Sequence, residues 1–177
     1  MARLARISYS LLILIILATG RTEAQVTPPA SATGHVIAEI IPVFAASETS
    51  QLNFGRFAPG PEGGEIILTP ESTISVLGTV FKGPGAPNAA SFYVSGDADA
   101  AFSISLPGTP VILTHSSDAK TMAVEDFVSV PSPGVGTGML QNGFKVVYVG
   151  ATLKVGPLHD NPVGIYTGTY TITFDFN

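Results

Sequence analysis

The side chains that bear most directly on chemistry are three histidines, His35, His115 and His159, and two acidic pairs, Asp97/Asp99 and Glu125-Asp126. Zinc sites place imidazole or thiolate ligands at short fixed spacings. These histidines are isolated, and His159-Asp160 reads as a polar loop tip. Asp97 and Asp99, in Gly96-Asp97-Ala98-Asp99, bring two carboxylates within reach of one calcium ion. That cation takes about six to eight oxygens, so two acids fall short and a solvated hairpin turn is the simpler reading. Glu125-Asp126 interrupts an apolar run, which marks a bulge or guards an edge rather than forming an acid–base pair. The sequence contains no H-E-x-x-H, G-x-S-x-G, P-loop or G-x-G-x-x-G pattern. We therefore assign no catalytic, cofactor-binding or metal-ligating residue, and expect neither enzymatic activity nor a cofactor.

Composition narrows the classes further. The 177 residues include 8 Lys+Arg against 13 Asp+Glu, and no cysteine or tryptophan. Absence of cysteine excludes disulfides, thiol catalysis and iron–sulfur clusters. A chain so poor in basic residues has little with which to neutralise phosphates, so nucleic acid is not an expected partner. The 45% hydrophobic content is too high for intrinsic disorder, and the 19 glycines and 14 prolines show no collagen-like period.

The first residues form an address. Arg3 and Arg6 precede the apolar run Leu11–Ala18, and Thr22-Glu23-Ala24 supplies small residues at a cleavage site. This reads as a signal peptide over 1–24. The run is much shorter than the ~20 apolar residues of a spanning helix, so no membrane span is expected after cleavage. No cysteine follows it to carry a lipid anchor. The protein is expected to be exported, to the periplasm, the outer cell surface or the medium. Residues 25–34 read as a flexible leader, and 35–177 as one domain long enough to bury roughly 70% of its unfolded surface without staples.

That domain must be built of strands. Short apolar runs alternate with Gly/Pro/Asn turns, and no stretch sustains a helical period. The runs are His35–Ala45, Leu52–Phe54, Glu65–Thr69, Ile74–Phe81, Ala90–Ser95, Phe102–Leu106, Val111–His115, Met122–Val130 and Phe144–Val155, and a last run spans Tyr166–Phe176. Turns are expected at Pro59-Gly60-Pro61, Gly83-Pro84-Gly85, Gly96-Asp97, Pro107-Gly108, Pro131–Gly138, Asn142-Gly143 and Asn161-Pro162. In the last strand Tyr166, Tyr170, Ile172, Phe174 and Phe176 share one parity, opposite a ladder of threonines. A charge at Ile172 or Phe174 is expected to be costly. Gly150 marks a bend or bulge in the strand before. The fold class is thus an all-β, antiparallel sandwich of about eight to ten strands. Phe54, Phe92, Phe102, Phe144, Phe174 and Phe176 are expected in the core. Tyr93, Tyr148, Tyr166 and Tyr170 are expected to finish it, although a cluster of them on an outer face would suit sugar stacking.

Leu52-Asn53-Phe54-Gly55, Ala90–Gly96, Val149–Leu153 and the ending Gly164–Phe174 together resemble the exported bacterial family known as domain of unknown function 4402. The ending is also similar to spore coat U and related pilin-like domains. That resemblance implies an immunoglobulin-like sandwich, assembled with copies of itself or other subunits by strand addition, with a periplasmic chaperone and an outer-membrane usher as partners. It implies no catalytic residues. Such subunits often carry a disulfide, which this chain lacks. A donated strand should alternate in polarity. Residues 25–34 hold little apolar content, which leaves His35–Ala45, with Val36, Ile40 and Val43, or a self-complete domain. Pro42 suits an edge strand.

Two functions compete. The first is a non-catalytic structural or surface protein, a fimbria-like subunit or adhesion-type domain. The alternative is a self-contained carbohydrate- or ligand-binding sandwich using loops such as 83–88 and 131–138. An outer-membrane barrel ranks last, because several runs are shorter than the about 9–11 residues a spanning strand needs.

Overall fold

The computed structural model describes residues 29–41 and 43–176. The signal segment 1–24 and the first part of the leader lie outside the described residues. The chain divides into two units, Met1–Glu39 and Ile40–Asn177. The described residues of the first, 29–39, form no regular secondary structure.

The second unit is all β among the described residues. Its strands are β1 (Ala45–Ser50), β2 (Phe57–Leu68), β3 (Ile74–Lys82), β4 (Ala90–Ser95), β5 (Ala101–Ser105), β6 (Val111–His115), β7 (Thr121–Val130), β8 (Gly134–Met139), β9 (Phe144–Val155), β10 (Tyr166–Thr167) and β11 (Thr173–Phe176). All pairings are antiparallel, and they build two sheets of a sandwich. The larger runs β1-β4-β9-β7-β6-β10 with the β2–β3 hairpin attached at β9, and the smaller runs β11-β5-β8.

Strand β9 is the hub because its β-branched residues favour an extended chain with one face inward. Val147, Val149, Ala151, Leu153 and Val155 all point into the core. One edge of β9 pairs with β4 along Phe144–Val149 and with β2 along Ala151–Val155, while the other pairs with β7. Gly150 sits at the handover. A Cβ there would lie 2.1 Å from the Leu68 carbonyl oxygen, so only glycine lets β2 and its turn come this close. Across the sheet the register of β7 slips between Glu125 and Val128, with Asp126 at φ 51°. The bulge expected at Glu125-Asp126 is there.

Two hydrophobic clusters lie on the inner face. One contains Val94, Phe102, Ile104, Leu140, Val147 and Val149, roofed by the small sheet. The other contains Ile66, Leu68, Met122, Val124 and Leu153 and takes no residue from the small sheet. Leu52 and Phe127 pack against both.

Several sequence expectations need correction. The stretch His35–Ala45 holds no strand before Ala45 among its described residues. The first strand, AASETS, has no apolar alternation to announce it, and it is held as an edge by backbone pairing to β4. Leu52–Phe54 is a loop with a single bridge between Asn53 and Asn88. Pro59-Gly60-Pro61 lies inside β2, where the pairing with β3 is irregular between Pro59 and Gly64. Most of the turn expected at Pro131–Gly138 is β8.

The last strand is the most informative case. Its parity is as expected, with Tyr166, Tyr170, Ile172 and Phe174 half-buried and Thr167, Thr169, Thr171 and Thr173 exposed. Its pairing is not continuous: Tyr166–Thr167 joins β6 in the large sheet, and Thr173–Phe176 joins β5 in the small one. The chain changes sheets, and Gly168–Ile172 between them belongs to no strand.

Candidate functional site

Where the Phe102 cluster has the small sheet for a roof, the Met122 cluster has only chain segments, and a groove of about 1120 Å³ lies beneath them. Its floor is the inner face of β6 and β7 with Leu153, presenting Val111, Leu113, Met122 and Val124. One wall is residues 51–59, with Leu52, Phe54 and Phe57, and the other is residues 161–170, with Tyr166 and Tyr170.

Both walls include residues outside any strand, 51–56 in the first and 168–170 in the second. In the first, Asn53 exchanges 2.8 Å N–H and carbonyl bonds with Asn88 and the Arg56 carbonyl accepts the Gly83 N–H at 2.8 Å, after which Phe57–Pro59 pair with β3. The second leaves Gly168–Ile172 outside any ladder.

The start of the second wall is tied down firmly. Asn161 is buried, and its Oδ1 accepts the Gly156 N–H while its Nδ2 donates to the Thr121 carbonyl at 3.0 Å. The Tyr166 hydroxyl donates to the Pro162 carbonyl at 2.9 Å, and the Ser116 N–H donates to the Ile165 carbonyl at 2.8 Å. His115 Nδ1 accepts the Ser117 N–H at 3.1 Å, so the proton of the neutral ring sits on Nε2, which donates to the Val163 carbonyl at 3.2 Å. Its ring meets Tyr166 edge-on, 4.9 Å between centres. Removing the amide in Asn161→Ala takes away the partner of the half-buried Gly156 N–H and the bond to the Thr121 carbonyl, and is expected to cost about 1–2 kcal/mol in urea unfolding.

Tyr170 stands where the two clusters meet, its ring 5.3 Å from Phe127 and 6.3 Å from Phe92. Its hydroxyl is buried and has no hydrogen-bond partner among the described residues. Burial, and after it the nearby Glu48 carboxylate, pushes the phenol well above its ordinary range. A folded-state pKa above the unfolded one means the tyrosine's contribution is intact below about pH 10 and is lost as pH rises beyond it. Tyr170→Phe removes the unpaired hydroxyl. In the isolated domain it is expected to raise stability by about 1 kcal/mol and to flatten the alkaline loss, both read from urea melts between neutral and alkaline pH.

The residues that drew attention in the sequence do not converge. His35 is exposed. His159 Nε2 lies 3.3 Å from Asp160, which also faces Lys120 at 3.7 Å. Asp97 and Asp99 lie in the turn between β4 and β5, with Asp99 at φ 60° and its N–H bonded to the Leu140 carbonyl at 2.7 Å. Glu125 instead joins a clamp on the outer face, where Lys154 Nζ meets Glu65 at 2.5 Å and Glu125 at 2.9 Å. The Glu65 and Glu125 carboxylates hold that ammonium above its usual range while tying β2, β9 and β7 together. Among the described residues no group of three or more histidines and acids is arranged to hold a metal ion.

Tyr93, Tyr148, Phe144 and Phe176, expected in the core, are between 40% and 47% exposed. Tyr93, Phe144 and Tyr148 stand on the outer parity of β4 and β9, and Phe176 ends the chain's last strand beside Phe44. Sequence reasoning missed Asn161 and the unpaired Tyr170 hydroxyl. The only signal for either was the Asn161-Pro162 turn, because alternation fixes a face and not a partner.

These features define a small β-sandwich domain with an apolar-floored groove over the part of its core that the small sheet does not cover. Residues 44–176 match the family described as domain of unknown function DUF4402, and the chain belongs to that family. No curated protein and no solved structure matches it.

Proposed function

We propose that the protein is an exported, non-catalytic structural subunit of a surface or fimbria-like assembly, whose groove receives an extended apolar strand from a neighbouring copy. The observation that carries this reading is the groove itself: an apolar floor between two lengths of chain, residues 51–56 and 168–170, that belong to no strand. An added strand would supply main-chain hydrogen bonds to Gly168–Ile172 and place alternate side chains on the floor. It would also bring a group to the unpaired Tyr170 hydroxyl.

The donor is His35–Ala45. Val36, Ile37, Ile40, Ile41 and Val43 are between 67% and 97% exposed, and the described residues before Ala45 form no strand. Burying a side chain of this size is worth about 1.5–3 kcal/mol, so leaving five in water favours association. The amino-terminal signal segment supports export, and the resemblance to pilin-like domains supports a chaperone and usher as partners in assembly.

The test is native mass with and without boiling. A ladder of multimers that collapses on heating, and that disappears in Ile40→Asp while the domain stays folded, is the expected result. A monomer under all conditions overturns the reading.

A further inference from the structure

The outer face of the large sheet divides in two. At one end lies the Glu65–Lys154–Glu125 clamp. At the other, the outward residues of β9 are Phe144, Val146 and Tyr148, flanked by Tyr93 on β4 and Val130 on β7. Tyr93 and Phe144 stack nearly parallel, at 16° with 5.7 Å between centres. Even so, Tyr93 is 40% exposed, Phe144 and Tyr148 are 46%, and Val130 is 48%.

We propose that this aromatic patch binds a neutral glycan, a chain of equatorially linked pyranose rings. Three observations select that occupant. The patch bears no carboxylate, ammonium, guanidinium or imidazole on its outward side chains, in a chain of net charge −5. Without basic residues it offers nothing to an anionic membrane surface or an acidic polymer. With about 150–250 Å² to a whole aromatic side chain, the exposed parts of these residues amount to roughly 400 Å², about half of what each partner of a stable protein–protein interface buries. That size suits a few sugar rings and not a second copy.

The polar groups are placed to match. Ser47 pairs across from Tyr93 and Ser95 across from Phe144, so hydroxyls border the stacked rings, and two of the aromatics are themselves phenols. A pyranose with equatorial substituents presents flat C–H faces bordered by hydroxyls, which fits aromatic faces with a polar rim. The patch lies on the opposite side of the sheet from the groove, since Phe92 lines the groove and Tyr93 points away. It therefore stands or falls separately from strand addition.

Calorimetric titration of the purified protein with cellohexaose tests it. Saturable binding is expected, weakened about tenfold or more in Tyr93→Ala and in Tyr148→Ala, and unchanged in Lys82→Ala. Both tyrosines are half-exposed, so the variants are expected to keep the wild-type far-UV spectrum. Absence of binding by the folded wild type, or equal binding by the tyrosine variants, overturns the proposal. Concentration-dependent dimerisation lost in Tyr148→Ala, without a response to the sugar, overturns it in favour of a second copy.

Discussion

Phe102→Ala is expected to cost about 4 kcal/mol, a large share of the stability of a domain this size. The ring is fully buried at the centre of the small sheet and packs against Phe44 at 6.2 Å and Phe174 at 6.1 Å. It is a main support of the roof over the Val94 and Val147 cluster, so its loss leaves a cavity that β11 and β8 cannot close without leaving β5. The fit is tight on the opposite side, where a Cβ on Gly138 would lie 2.3 Å from the ring. Gly138→Ala alone is therefore expected to cost about 1–3 kcal/mol by overpacking. Combining it with Phe102→Leu should cost less than the two single changes summed, because the smaller side chain makes room for the methyl. Urea unfolding reads all three through the midpoint. An unmoved midpoint in Phe102→Ala would contradict the packing described.

Gly150→Val is expected to be at least as damaging, about 3 kcal/mol or more, with little soluble folded protein. Here the obstruction is backbone: the Leu68 carbonyl at 2.1 Å, the Thr69 carbonyl carbon at 2.7 Å and the Pro70 nitrogen at 2.9 Å. No rotamer change relieves such a clash. Gly150 lies in the middle of β9, opposite Val128 at the β7 bulge, so displacement propagates to both neighbours. Wild-type yield and melting from this variant would mean that β2 and β9 do not meet as described.

Much of the fold is legible in the sequence because period-two patterning on β-branched residues reports a half-buried strand directly. Ala90–Ser95, Val111–His115 and Phe144–Val155 have the same limits in both. Patterning fails where backbone pairing alone holds a strand. Ala45–Ser50 is polar on both faces, and Gly134–Met139 is rich in glycine, so neither announces itself. It fails again where parity persists while the partner changes. The threonine ladder from Thr167 to Thr173 gives no hint that the chain leaves one sheet for the other at Gly168–Ile172, and that crossing opens the groove. The donor candidate was legible as apolar residues at Val36, Ile40 and Val43, but a run that awaits a partner reads like a strand of its own domain. Tyr93 and Tyr148 show the same limit from the other side, since an aromatic at a strand position fits either face until the neighbouring strands are known.

The most direct test of strand addition uses the absence of native cysteine. Protein carrying Ile40→Cys is mixed with protein carrying a single cysteine substitution at Thr169, Tyr170 or Thr171, under mild oxidation. A disulfide needs the two Cα atoms within about 7 Å, so only a seated strand brings the pair together. Strand addition predicts a covalent dimer of unlike chains that peaks at one of the three positions and is competed away by excess wild-type protein. Equal, slow cross-linking at all three positions, or none, would contradict it.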